Sequence, residues 1–271
     1  MSTAGSFGYP WVVFTLQKTL FAVSAEFVQS MVNTPLAASV PHTPGFVRGV
    51  INLRGVVVPL LDLRSRLGMP SFLGEVEEFC SLMSQREEDH KHWLMELEAA
   101  VHENREFTLA TDPHKCAFGK WYSTFKPESY ALSMLMKKFD NPHRKIHGLA
   151  DKVLSLAKGG DHNGAVKIID QCRKNELAEM ILLFEKARKN YRENNNEVSI
   201  VLEVDNNLFA FAVDTIESVE SFTEGTIEHA PETFGGNMET ELVKYTGRRK
   251  KDGEVVFILN TDEIVSNLVY K

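Results

Sequence analysis

The sequence predicts an α+β chain whose β part is divided in two by a helical insert. Three observations carry that expectation: strand-like text at both ends, an apolar period that changes to the helical one in between, and a cluster of turn-formers where the strand text resumes. The predicted boundaries are 10–74 and 196–271 for the β part and 75–195 for the insert.

Over residues 11–67 the chain reads Trp11-Val-Val-Phe-Thr-Leu, Phe21-Ala-Val-Ser and Gly49-Val-Ile-Asn-Leu-Arg-Gly-Val-Val-Val-Pro-Leu-Leu-Asp-Leu-Arg. Short β-branched runs broken by Gly and Pro point to a small barrel or sandwich, with a hairpin turn at Gly55. Residues 32–36 do not read as strand, and 65–69 reads as one helical turn ending at Gly68.

From about Glu75 the apolar residues recur at helical spacing. Phe79, Leu82, Met83, Trp93, Leu94, Leu97 and Val101 share one stripe, and His90 falls on it while His92 does not. A second stripe runs through Leu132, Leu135, Phe139, His143, Ile146, His147, Ala150 and Leu154. Asp140 or Asn141 as cap, with Pro142 first in the helix, predicts a fresh start or kink just before the histidine pair. The last helix, 163–191, places Ile168, Ile169, Cys172, Met180, Phe184, Ala187 and Tyr191 in register, and the whole predicts an antiparallel four-helix bundle.

After Asn194-Asn-Asn the strands return as Val198-Ser-Ile-Val-Leu-Glu-Val, Leu208-Phe-Ala-Phe-Ala-Val and Val255-Val-Phe-Ile-Leu. The stretch around Gly55 echoes that around Gly253, as if two related halves flank a guest domain. Arg248-Arg-Lys-Lys reads as a solvated hairpin turn.

Composition narrows the function. The chain of 271 residues is 43% apolar and 25% charged, with a formal charge of −7, which disfavours nucleic acid as a partner. No apolar run suits a bilayer and no secretory pattern opens the chain, so a cytoplasmic protein is expected, without direct membrane insertion. Three cysteines suit a reducing compartment better than a disulfide framework.

His90, Cys116, His143 and His147 read as one tetrahedral zinc site. Zinc favours thiolate and imidazole, and histidines four apart project from one helical face. One histidine on an apolar stripe is ordinarily a hydrogen-bonded core residue, but three on inward faces beside a cysteine shift the balance to metal. Hydrolytic zinc sites leave a position for water and supply a carboxylate, whereas here Arg144 follows His143. Di-iron bundles draw on paired Glu ligands, which this seam lacks. Cys172 reads as a small core residue, Cys80 has no partner pattern, and His114 is a weaker alternative ligand.

The stretch Pro44-Gly-Phe-Val-Arg-Gly-Val-Ile-Asn-Leu-Arg-Gly-Val-Val-Val-Pro-Leu-Leu-Asp-Leu-Arg resembles the CheW family of chemotaxis coupling proteins, as do residues 198–218. The resemblance implies a pair of small β-barrels and a non-catalytic adaptor joining methyl-accepting chemoreceptors to the CheA histidine kinase, associated with receptor arrays. It implies partner contacts at Arg54 and along an edge including Val40 and Val50. Ser30 stands where family members commonly carry an acidic residue.

His90-Lys-His-Trp, Cys116-Ala-Phe-Gly-Lys-Trp-Tyr and His143-Arg-Lys-Ile-His resemble, in order, the chemoreceptor zinc-binding domain, CZB. Together the two resemblances imply an adaptor whose insert senses zinc or thiol oxidants. The competing expectation is a structural or buffering zinc protein that has lost its coupling role.

Overall fold

The computed structural model describes residues 9–127, 129–194, 196–222, 224–230, 241–266 and 268. The chain divides into two compact units, 1–74 with 196–271 and 75–195. In chain order the first unit opens with β1 (Trp11–Leu16), β2 (Thr19–Ser24), β3 (Val28–Asn33), β4 (Val47–Leu53), β5 (Val56–Asp62) and α1 (Leu63–Arg66). Helices follow: α2 (Phe72–Glu103), α3 (Ala117–Thr124), α4 (Tyr130–Met136), α5 (Asp140–Gly148), α6 (Ala150–Lys158), α7 (His162–Cys172) and α8 (Ala178–Asn194). The β unit resumes with β6 (Val198–Val204), β7 (Asn207–Val213), β8 (Thr215–Glu220), β9 (Ile227–His229), β10 (Val243–Arg248), β11 (Val255–Leu259) and α9 (Thr261–Val265).

Its strands form a six-stranded sheet, β8-β1-β2-β11-β10-β9, and a five-stranded sheet, β3-β6-β7-β5-β4. Both are open in hydrogen-bonding order among the described residues, which corrects the expectation of closed barrels. Each sheet nevertheless buries both faces. Val12, Phe14 and Leu16 of β1 join Ile200, Leu202, Phe209 and Phe211 in a shared core. Trp11 and Val13 pack with Ile258 on the other face of the first sheet, and Ile51, Val58 and Leu60 with Val201 on that of the second. Two-sided burial explains why these strands read as continuous apolar runs rather than alternation.

Three hairpins close with two residues at positive φ: Gln17–Lys18, Arg54–Gly55 and Asp205–Asn206. This is the type I′ geometry that matches strand twist. Pro59 fits inside the five-stranded sheet because β5 pairs with β7 only from Leu60 onward, so no ladder bond to β7 needs its missing N–H.

Val32 and Asn33, expected outside a strand, belong to β3 and pair with Ser199 and Val198. Pairing with β6 holds them where the local pattern gave no alternation. Arg249 also departs from expectation: it is buried against Glu220, Asp252 and Glu254, so the basic turn is only partly solvated.

The helical unit consists of α2, the short α3 and two composite runs, α4 to α6 and α7 to α8. In the first run a 3-10 turn, Lys137–Phe139, leads from α4 directly into α5. No side chain caps α5, so neither Asp140 nor Asn141 serves as its cap. Pro142 is accommodated because it lies in the first turn, where few intrahelical bonds are lost. The second run joins α7 to α8 through a π turn, Arg173–Leu177. One apolar core holds the unit together, including Met83, Leu97, Phe118, Phe139, Ile169, Met180 and Phe184.

Candidate metal centre

His90 comes from the middle of α2, Cys116 from the residue capping α3, and His143 and His147 from successive turns of α5. Their ligand atoms all lie within 4.8 Å of one another. The three histidines are 5% exposed or less. Apolar stripes set the inward direction of the histidines, and helix pitch places His147 one turn beyond His143.

Backbone carbonyls orient two of the rings. His90 Nδ1 lies 2.6 Å from the Arg86 carbonyl, and His147 Nδ1 lies 3.0 Å from that of Ala110. A carbonyl accepts, so each Nδ1 carries the proton and each Nε2 keeps its lone pair. Those two Nε2 atoms are buried without a hydrogen-bond partner. Orphaned acceptors aimed at a shared centre are costly unless something electrophilic sits between them, and this tautomer arrangement is typical of metal-ligating histidine.

Cys116 is half-buried, and its sulfur lies 3.2 Å from His143 Nε2. As cap of α3 it accepts the Gly119 N–H at 3.2 Å, which favours the thiolate. Gly119 is required by close approach: a Cβ there would lie 1.8 Å from the Pro113 carbonyl oxygen. Phe118 stands edge-on to His90 and His143 at 5.7 and 5.1 Å, and Phe184 lies against His90.

Without a metal the site is proton-averse. Burial and the neighbouring histidines push His143 down to about 3, and burial with His90 pushes His147 down to about 4. Burial also lowers His90 and raises the Cys116 thiol. Neutral imidazoles are the form a metal binds. Three imidazole nitrogens and one sulfur suit zinc in closed four-coordination, and the orphaned Nε2 atoms fit that ion.

A cavity of about 390 Å³ opens beside the cluster, reaching His90, Cys116 and His147. Its wall is apolar at Trp93, Leu109 and Phe118 and charged at Arg86, Asp89 and Lys115. His92 lines this cavity but stays outside the cluster, and His114 is exposed. The loop carbonyl of Ala110, which orients His147 and also accepts the Trp93 Nε1 proton at 2.8 Å, left no mark in the sequence.

In the β unit Arg54 is exposed at the tip of the β4–β5 hairpin. Val40 lies before β4 and is 37% exposed, while Val50 is half-buried and exchanges backbone hydrogen bonds with Ala38. The edge of β4 is thus covered at Val50. Ser30 is exposed on β3, the opposite edge of the same sheet. Sequence reasoning missed Arg48, whose guanidinium is shared between Asp62 and Glu197.

The CheW-like domain family matches residues 10–84 and 177–269, and the chemoreceptor zinc-binding domain family matches residues 90–154. A probable chemotaxis protein CheW of Rhizobium etli is 40% identical over 58 residues, 21% of this chain and 37% of that protein. The chemotaxis protein CheW of Bacillus subtilis is 38% identical over 65 residues, 24% of this chain and 42% of that protein. The matched stretch therefore spans well under half the length of these relatives. The crystal structure of the scaffolding protein TtCheW from Thermoanaerobacter tengcongensis is similar with a TM-score of 0.43 and 14% identity, covering 93% of this chain and 83% of that one. No described helix is long and apolar enough to cross a membrane. Two matched segments that together make up more than half of the sequence, separated by the zinc-binding match, place this chain in the CheW-like family, with a CZB domain inserted.

Proposed function

We propose that this chain is a non-catalytic adaptor linking a chemoreceptor to a CheA-type histidine kinase, and that its insert adjusts the link in response to zinc or to thiol oxidants. The observation that carries the sensing part is a four-ligand cluster whose one sulfur is half-buried beside a cavity. A site built only to brace the helices gains nothing from leaving its most oxidisable ligand within reach of small molecules.

Zinc, when bound, would hold Cys116 as thiolate at neutral pH. The Gly119 N–H supports the same charge. A two-electron oxidant of the peroxide class would transfer one oxygen to that sulfur, the S–O bond forming as the O–O bond breaks and water leaves. The sulfenate would be a poorer partner for His143 and for the α3 terminus, releasing the segment that Cys116 caps. Adaptor contacts are assigned to Arg54, Val40 and Val50 on the strength of family membership.

The test is capture of a CheA kinase and of a receptor cytoplasmic fragment by the purified full chain, with added zinc, with chelator and with peroxide. Binding that changes with metal or oxidant, and loses its response in Cys116→Ser, is expected. Binding insensitive to all three would leave a bracing or buffering role. Absence of kinase and receptor binding under every condition would remove the adaptor role.

A further inference from the structure

The run from α7 to α8 contains a five-residue π turn, Arg173–Leu177. The buried positions of the run are Ala165, Ile169, Cys172, Leu177, Met180, Leu183, Phe184 and Ala187. The longest step between them is the five residues from Cys172 to Leu177, which spans the turn. In an α-helix, at about 100° per residue, that step would turn Leu177 about 140° away from Cys172. A π turn joins residues five apart, so the two side chains share a face. The turn is thus a one-residue stutter in the run.

Two ion pairs grip this turn, one from each helix that carries the histidines. Arg173 pairs with Glu98 on α2, eight residues beyond His90. Glu176 pairs at 3.6 Å with Lys145, which lies between His143 and His147 on α5. Beyond the turn, Phe184 packs on His90 at 6.1 Å and on Phe118 at 5.4 Å. At the far end of α8, Tyr191 stacks on Phe79 at 3.9 Å and Arg188 pairs with Glu87. A spacing change between α2 and α5 would therefore converge on the one part of the run whose hydrogen bonds are least regular.

We propose that the π turn is a register joint through which the state of the metal cluster is passed to α8, the helix that leads the chain back into the β unit. The inference rests on the cluster being a metal site, as proposed above. With the four ligands drawn together, α2 and α5 hold the turn in its present form. When they part, the stutter loosens and α8 loses its fixed register from Ala178 to its end.

The test is hydrogen exchange on the full chain with zinc or with chelator, zinc content being measured on the same samples. In the native chain, protection over 173–194 is expected to fall at least about tenfold on zinc removal. Deletion of Lys174, an exposed residue of the turn, removes the residue the stutter adds and leaves Cys172 and Leu177 four residues apart, as in an ordinary helix. That variant is expected to bind zinc and to keep α8 protected in both states. Should deletion unfold the chain, the pair Glu98→Gln with Glu176→Gln takes its place and is expected to bind zinc with a smaller zinc-dependent difference over 173–194. The joint is overturned if zinc-loaded and zinc-free native protein exchange alike over 173–194, or if a folded, zinc-binding variant shows the native difference. A native chain that binds no zinc overturns the metal site itself, a separate result.

Discussion

Arg48 holds Glu197 through both terminal nitrogens while its Nε and Nη2 also bond Asp62. Asp62 ends β5 just before the chain leaves for the helices, and Glu197 stands immediately before β6 on the return. One guanidinium therefore ties together the two strands between which the insert was placed. Asp62 has a second task, accepting the Ser65 N–H as cap of α1.

Replacing Arg48 with Leu strands two carboxylates whose side chains are 5% and 4% exposed. A loss of about 3–5 kcal/mol in the β unit is expected, measured by chemical denaturation. Glu197 is already pushed above the usual carboxylate range by burial, with Arg48 pulling the other way. Glu197→Gln is therefore expected to cost less than the loss of Arg48, and adding it to Arg48→Leu should recover part of the deficit.

Trp93 and His147 share the carbonyl of Ala110. Trp93→Phe keeps an aromatic ring in the core but removes one donor from that oxygen. The loop then holds the His147 ring less firmly, and a fall in zinc affinity of about tenfold is expected. Chelator competition reads it, and unchanged affinity would show that the loop is held by other contacts.

Gly119→Ala forces its methyl group into the Pro113 carbonyl, so α3 must move away from the turn that precedes it. The Gly119 N–H then leaves the Cys116 sulfur. A drop in zinc affinity larger than that of Trp93→Phe is expected, together with a lower melting temperature. Gly49→Ala in the β unit meets the same kind of obstacle, the Ala38 carbonyl at 2.1 Å, and serves as a control that should destabilise without touching metal binding.

The helices were legible because His90, His143 and His147 lie on stripes of apolar residues, and periodicity reports direction as well as secondary structure. Cys116 had no stripe to place it and was read from its motif, whose glycine acquires a physical reason only once Pro113 is seen behind it. The Ala110 carbonyl was invisible because a backbone acceptor carries no residue type. Closed barrels were expected where two open sheets stand, since strand text records burial but not which edges pair. Asp140 looked like a cap because its type favours that role, yet the 3-10 turn before it already supplies a helical backbone. The π turn at 173–177 was not legible, because Cys172 and Met180, eight residues apart, lie close enough to two turns for the run to read as one ordinary helix.

The depressed histidines give the metal-free helical unit a direction of pH sensitivity. His143 and His147 titrate near 3 and 4 in the folded chain, against 6.5 when exposed. Below 6.5 the unfolded chain takes up protons that the folded one refuses. The stabilisation is thus complete above about pH 6.5 and is lost as pH falls toward 4 and then 3. A tenfold difference in proton affinity between folded and unfolded chain is worth about 1.4 kcal/mol, so the two histidines together account for a loss on the order of a few kcal/mol. Groups facing the pair enter the same balance: His90, itself depressed by burial, and the Cys116 thiol, which burial keeps neutral in this range. Thermal melts followed by helical circular dichroism, in chelator and stepped from pH 7.5 to 4.5, should show the midpoint falling. The double variant His143→Leu with His147→Leu should flatten that slope, and an equally steep slope in it would assign the sensitivity to other groups.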